Sequence, residues 1–469
     1  MYKLLVFVLL SVPVFAQNFY KIASPNGQLA LQVIHAPDRS IKYQVTLHNK
    51  EVIALSGIGI SLKKPQLELR KFQILQVDSI EHNSSWKPVW GEVKEIQNQY
   101  KELSFQVKEN SVLMRIIFRV FNDGIAFRYF FPEQDNFKHF IVDNEWSTFN
   151  MSGDHTTFWI PGDYDTNEDT YQKTKISEID ATAAAAKEKD IAVTSLIGKN
   201  YVQTPLMMKS SEGVYINVHE AALINYPVMH LKVTGTEFTS TLVPDAVGNK
   251  AYLQTPFNTP WRTIIISNKA EQILSSKTIL NLNEPSKIQD STWIKPQKFM
   301  GMWWEMHIGK ANWPLASGKH GANTENVKRY IDFASKHGFQ GVLVEGWNKG
   351  WEDWFGNWKE EVFDFVSPYP DYDIDSLTKY AQSKGLKLIM HHETASSVTN
   401  YERRMDAAFQ YMVNKNQYGR YLEKQKASET SSTDREKYQA DFLSLTNAFL
   451  NNQVTDVPTD LRLAFENYL

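Results

Sequence analysis

The run Leu386-Lys387-Leu388-Ile389-Met390-His391-His392-Glu393-Thr394 sets two imidazoles and a carboxylate directly after a short apolar segment. Four apolar side chains and one lysine predict a buried strand. A buried strand that ends in ionisable groups delivers them to a sheet edge, where a site is built. Gly341-Val342-Leu343-Val344-Glu345-Gly346-Trp347 repeats this design one unit earlier, and Trp303-Trp304-Glu305 closes an apolar run before that. A glutamate beside histidines has the chemistry of a general base that activates water. His391, Glu393 and a further carboxylate also have the donor types for a metal, although His-His-Glu does not match the His-Glu-x-x-His zinc signature. The plainer alternative is a surface glutamate beside a structural histidine. The alignment of three such strand ends argues against it.

Glycoside hydrolysis needs two carboxylates across the scissile bond, about 6.5–9.5 Å apart in inverting enzymes. Glu393 supplies one, and Glu345 and Glu305 are the comparable strand-end partners. Glu345 serves equally well as a site residue or as an anchor for a helix cap. Trp303 and Trp347 either stack on a sugar ring or fill the mouth of a barrel. A second acidic stretch, Trp159-Ile160-Pro161-Gly162-Asp163-Tyr164-Asp165-Thr166-Asn167-Glu168-Asp169, offers hard oxygen ligands on a Gly/Pro loop, without the spacing of a helix–loop–helix calcium motif; such a stretch taken alone is more often a solvated acidic loop.

The elements that must position these groups fall into two regions. From 18 to about 290, alternating runs such as Val112-Leu113-Met114-Arg115-Ile116-Ile117-Phe118-Arg119-Val120-Phe121 predict strands. Asn26-Gly27, Asn122-Asp123-Gly124 and Glu212-Gly213 separate them as turns. One large β-sandwich is the economical reading, with a single helix predicted near Asp180–Lys189. From about 293 the pattern becomes strand, helix, strand, helix, strand, helix. Strands are predicted over Phe299–Trp304, Phe339–Trp347 and Leu386–Thr394, and helices over Thr324–His337, Ile374–Ser383 and Asn400–Met412. Such alternation predicts parallel β/α units with the site at the C-terminal strand ends. The stretch 416–469 has no predicted buried strand. Its Lys424–Lys437 segment is almost wholly polar.

The chain has 469 residues and a net charge of -3, so no basic field for nucleic acid is present. It holds 13 tryptophans and 21 tyrosines, abundant enough for sugar stacking, although each single aromatic is more often core. The N-terminus predicts a secretory signal over 1–16, with Lys3, the apolar run Leu4–Phe15 and the site Val14-Phe15-Ala16 before Gln17. That apolar run is too short to span a bilayer, so no membrane anchor is expected. Export without any cysteine predicts a soluble periplasmic protein of a Gram-negative bacterium.

Taken together, these motifs resemble glycoside hydrolase family 97, in particular its inverting periplasmic α-glucosidases of starch utilisation. The resemblance runs from about 20 to 416. It rests on Pro88-Val89-Trp90-Gly91-Glu92, Phe158–Thr166, His219-Glu220-Ala221-Ala222-Leu223, Asn281-Leu282-Asn283-Glu284-Pro285, Trp303-Trp304-Glu305-Met306, Arg329-Tyr330-Ile331-Asp332-Phe333-Ala334, Val344-Glu345-Gly346-Trp347-Asn348 and His391-His392-Glu393-Thr394. It implies an α+β multidomain chain: an N-terminal β-supersandwich (17–290), then an incomplete (β/α)8 barrel of about three units (291–415), then an atypical polar tail (416–469), helical or disordered. It further implies that Glu393 is the base for the attacking water, that His391 and Trp303 contact the substrate with Glu393, and that Glu168 is a calcium ligand. The implied partner is a starch-derived oligosaccharide.

The family's fourth-strand lysine, second base, remaining calcium ligands and general acid, in motifs resembling His-Glu-Ala and Asn-Glu-Ser, have no counterpart after Asn416. The expectation is therefore a truncated or frameshifted chain, nearly inactive alone because general acid catalysis contributes about 10²–10⁴-fold. The competing readings are a non-catalytic carbohydrate-binding protein and an α-galactosidase-type member of the family.

Overall fold

The computed structural model describes residues 18–188, 191, 194–354, 361–394 and 398–415. The signal segment 1–16 and the tail 416–469 lie outside the described residues. The chain divides into two compact units between Ser286 and Lys287, each with its own apolar core.

The first unit is a large antiparallel β-structure. Its described strands form an eight-stranded, a ten-stranded and a four-stranded sheet. Alternation drives the layering: Leu29–His35 buries Leu29, Leu31 and Val33, with Ala30 and Gln32 half-exposed between them. Asn122-Asp123-Gly124 closes the hairpin in which Val120 pairs with Ile125. No Cβ fits at Gly124, where it would stand 2.5 Å from the Ile264 carbonyl oxygen. Aromatic residues fill much of this core. Tyr43 meets Phe127 at 5.2 Å between ring centroids, and Phe118 meets Phe127 at 5.7 Å. The predicted helix at Asp180–Lys189 is only Ala181–Ala185, capped by Asp180, which accepts from the Ala183 N–H. Lys189 itself is outside the described residues. Two short helices, Ala270–Ser275 and Thr278–Leu282, were not anticipated. Asp123 binds both Ser276 and Thr278 hydroxyls there, at 2.6 and 2.7 Å, so the second forms from a side-chain contact 155 positions distant.

The second unit contains three parallel strands, Phe299–Gly301, Gly341–Val344 and Lys387–Met390, in that order across one sheet. Helices Thr324–Lys336, Ile374–Ser383 and Val398–Asn414 alternate with them. Each of the first two helices starts at a side-chain cap. Asn323 accepts from the Asn326 N–H and Asp373 from the Ser376 N–H. Each ends before a left-handed glycine, Gly338 at φ +70° and Gly385 at φ +74°. Val327, Ile331 and Ala334 on one helix, and Ile374, Leu377 and Ala381 on the next, form the buried stripes that face the strands.

The strands are shorter than the apolar runs predicted. The clearest correction is at Phe299–Trp304, where the strand stops at Gly301 and Trp304–His307 turns into a short helix. The cause is local. A Cβ on Gly301 would lie 1.3 Å from the Trp303 ring, so the absence of a side chain lets that ring fold back over the strand end. Among the described residues no helix is long and apolar enough to cross a membrane.

Candidate active site

Parallel register builds the site. Gly301 pairs with Leu343, Leu343 with Ile389, and Val344 with Met390. Side chains alternate between faces, so Gly301, Leu343 and Ile389 share one face while Val344 and Met390 are buried on the other. Continuing the alternation past the strand ends puts Glu345 and His391 side by side on the first face, with Glu393 next. The Trp303 ring, lying over Gly301, occupies the same face.

The contacts agree with that register. The His391 Nε2 is 3.4 Å from Glu393 Oε2, and Glu393 Oε1 accepts from the Thr394 N–H at 2.8 Å. The His391 backbone N–H donates to the Val344 carbonyl at 3.0 Å, and the Trp347 indole donates to the His391 carbonyl at 2.8 Å. Gly346, at φ +85°, turns the chain immediately after Glu345.

Electrostatics separates the two histidines. Burial alone would push His391 down, but the contact with Glu393 and the charges of Glu345 and Glu393 outweigh it and hold its pKa above the ordinary 6.5. His392 points the other way, among Trp347, Phe365, Tyr401 and Phe409. Burial, with His391 adding to it, pushes its pKa down to about 4. His392 is thus a histidine packed among aromatic rings, while His391 faces the carboxylates of the site. Burial also raises the Glu345 carboxyl above the ordinary range. His391 and the Trp313 N–H pull against that rise, Glu393 adds to it, and His307 opposes it.

Glu305 does not join this group. The helical turn carries it aside, where it accepts from Asn326 at 2.9 Å and Arg329 at 2.6 Å. Two residues were missed from sequence: Trp313, whose indole N–H donates to Glu345 Oε1 at 2.6 Å, and His307, which meets the Trp313 ring edge-on at 5.2 Å. Only the presence of an aromatic in a loop rich in glycine and proline hinted at Trp313, because its partner lies 32 positions away.

The acidic loop belongs to the first unit. Asp163 is buried, and its Oδ1 accepts from the backbone N–H groups of Asp165, Thr166 and Ser195. The His230 ring bonds the Asp163 carbonyl at 2.7 Å, and Gln203 donates to the Thr166 carbonyl at 2.6 Å. Asp163 therefore shapes the loop, while Glu168 stands exposed upon it. Among the described residues no three His, Asp or Glu side chains converge as a metal shell.

Comparison with known proteins identifies the family. The Glycosyl-hydrolase 97 N-terminal model matches residues 22–285, and the Glycoside hydrolase 97 model matches residues 303–420. The chain belongs to glycoside hydrolase family 97. A family 97 enzyme from Pseudoalteromonas sp. strain K8, solved in complex with acarbose, is 35% identical with a TM-score of 0.74. A variant of that enzyme in complex with panose matches equally well. Each match covers 85% of this chain and 58% of the other. The retaining alpha-galactosidase of Bacteroides thetaiotaomicron is 25% identical over 421 residues, covering 82% of this chain and 57% of its own length. A beta-arabinopyranosidase shares the fold, at 16% identity and a TM-score of 0.63. This family 97 chain thus spans three fifths or less of the length of these relatives.

Proposed function

We propose that this chain carries the water-activating part of an inverting α-glucosidase site. Glu393 is the general base, His391 and Trp303 contact the substrate, and Glu345 accepts a hydrogen bond from a sugar hydroxyl. The observation that carries this reading is the shared edge of the two strands, where one histidine faces both carboxylates. A base must be ionised to take a proton from water. His391, 3.4 Å away with its pKa held above the ordinary 6.5, and the Thr394 N–H both favour an ionised Glu393. Burial raises the Glu345 pKa, while the Trp313 N–H pulls against that rise and holds Oε1 as an acceptor. The carboxylate is suited to accept from a hydroxyl. Trp303 offers an aromatic face for the apolar side of a pyranose ring.

In hydrolysis with inversion, Glu393 removes a proton from water as the water oxygen bonds to the anomeric carbon from the side opposite the leaving group. The glycosidic C–O bond breaks, its electron pair leaves with the departing oxygen, and that oxygen is protonated. No described residue is assigned that protonation. An aryl glucoside with a nitrophenolate leaving group departs without a proton, so it reports the base-assisted step alone.

Calcium, implied by the sequence resemblance, needs six to eight oxygens. Glu168 is one, and the described residues do not complete a shell around it, so no step is routed through the ion. Export to the periplasm, resting on residues 1–16, belongs to the same proposal.

Acarbose and panose, bound by the Pseudoalteromonas relative, are built of α-linked glucose-type units, which supports a gluco-configured substrate. The galactosidase relative motivates the second reading. The two are separated by comparing kcat/KM for para-nitrophenyl α-glucoside and α-galactoside, sugars that differ only in the orientation of one hydroxyl. A site that hydrogen-bonds the equatorial hydroxyl leaves polar groups unpaired with the axial one, so the glucoside is expected to be favoured by at least about tenfold. Preference for the galactoside would replace the glucosidase reading with the galactosidase one.

A further inference from the structure

We propose that Trp313 is a positioning residue of this site: its indole N–H, 2.6 Å from Glu345 Oε1, fixes the Glu345 carboxylate and leaves Oε2 as the acceptor for an incoming sugar hydroxyl. This inference rests on the reading of Glu345 given above.

The loop that carries Trp313 is anchored at several points. The Lys310 and Ala311 N–H groups both donate to the Glu305 carbonyl, at 2.8 and 3.0 Å. Asn312 N–H donates to the Lys319 carbonyl, and Gly321 N–H donates back to the Asn312 carbonyl. His320 then ties the loop to the second strand's turn and to the turn before the helix Ile374–Ser383. Its Nε2 lies 2.9 Å from the Gly346 carbonyl and its Nδ1 lies 2.8 Å from Asp371 Oδ2. No room is left for slack: a Cβ on Gly321 would meet Met306 Cε at 2.8 Å and the Ala311 Cβ at 3.0 Å.

The ring itself is held by packing. It stacks on Trp351 at 6.0 Å with planes 15° apart, tilts against Trp354 at 5.6 Å, and takes the edge of His307 at 5.2 Å. An indole has one N–H, so a fixed ring aims that donor in one direction. Many half-buried tryptophans satisfy their N–H on a backbone carbonyl, which carries no charge. This one meets a carboxylate at a strand end beside His391. A single fixed donor selects one rotation of that carboxylate and favours its ionised form. The charged or titratable groups that face Glu345 are His391, Glu393 and His307, and those that face His391 are Glu345, Glu393 and His392. Loss of the indole donor therefore shifts charge from Glu345, and His391 registers it.

The test uses the full chain and the W313F, E345Q and W313F/E345Q variants. Phenylalanine keeps an aromatic ring between Trp351 and His307 and removes only the donor. Acarbose affinity is measured by titration calorimetry and the His391 imidazole titration by NMR. W313F is expected to weaken acarbose binding by about tenfold, the scale of one lost hydrogen bond to a charged group. It is also expected to lower the His391 pKa in the same direction as E345Q. On the E345Q background it adds nothing to either, because the partner charge is already gone. Unchanged affinity and unchanged His391 titration in W313F, with both moved by E345Q, would overturn the role of Trp313. Equal effects of W313F with and without Glu345 would overturn it too, as loss of packing. If the unmodified chain bound no acarbose, the glucosidase reading would fail, and the His391 comparison alone would decide the role of Trp313. A packing or folding defect of W313F appears equally on the wild-type and E345Q backgrounds, so the difference between the two backgrounds isolates the hydrogen bond.

Discussion

Glu393→Gln is expected to lower the rate of para-nitrophenyl α-glucoside hydrolysis by about 10²–10⁴-fold, the usual contribution of a positioned general base. Acarbose affinity is expected to stay within about tenfold of the unmodified chain. The substitution is nearly isosteric. It keeps an acceptor for the Thr394 N–H, now 2.8 Å from Glu393 Oε1, and removes only the charge and the capacity to take a proton. The pattern of low turnover with retained binding is specific to a catalytic carboxylate. A structural glutamate at this position would lose affinity and stability together and would spare turnover per bound site. Paired measurement of turnover and acarbose affinity on the two proteins checks it. An unchanged rate would remove Glu393 from the reaction.

Arg262→Met is expected to destabilise the first unit by about 3–5 kcal/mol, as breaking a buried ion network does. Arg262 is 1% exposed and donates to Glu145 at 2.7 and 2.6 Å and to Glu220 at 2.5 Å. Ser147 and Tyr226 hydroxyls also donate to Glu145, and the Met229 N–H donates to Glu220. Arg262 and Glu220 lie on strands of the ten-stranded sheet, and Glu145 lies on the four-stranded one, so the guanidinium joins two sheets. Removing it leaves two buried carboxylates facing each other without a counter-charge.

The defect has a pH signature. Burial raises the Glu220 pKa in the folded protein, with Arg262 pulling it back. A carboxyl with a raised folded pKa stabilises the fold most below its unfolded value of 4.5, and that contribution is lost as pH rises through the folded value. Losing Arg262 raises it further, so the variant should suffer least in acid and most near neutrality. Chemical denaturation followed by tryptophan fluorescence at pH 5 and pH 8 measures both effects. A loss below about 1 kcal/mol at pH 8 would show that the network contributes little.

Much of the scaffold was legible in the sequence because it depends on local rules. Asn122-Asp123-Gly124 declared its hairpin, and the predicted helices Thr324–His337 and Ile374–Ser383 stop just before Gly338 and Gly385, since a residue without a side chain enters those left-handed turns freely. The apolar runs at Val342 and Leu388 announced buried parallel strands, and their alignment put Glu345 and His391 on one edge. The roles that depend on distant contacts were not legible. Glu305 read as a third strand-end carboxylate. Whether it reached the site turned on how the Trp303 ring settles over Gly301, and on Asn326 and Arg329 of the next helix. Glu220, part of the family-like run at 219–223, proved to be a partner of Arg262, 42 positions on. His391 and His392 are adjacent and chemically identical in the sequence; the carboxylates of Glu345 and Glu393 beside one, and the burial of the other among Phe365, Tyr401 and Phe409, separate them.

The stereochemistry of the first product tests the central claim most directly. Proton NMR of para-nitrophenyl α-glucoside hydrolysis by the full chain, read before mutarotation, distinguishes attack by a Glu393-activated water from a double displacement through a glycosyl-enzyme. The account predicts that β-glucose appears first and that Glu393→Gln suppresses it. α-Glucose appearing first would contradict it.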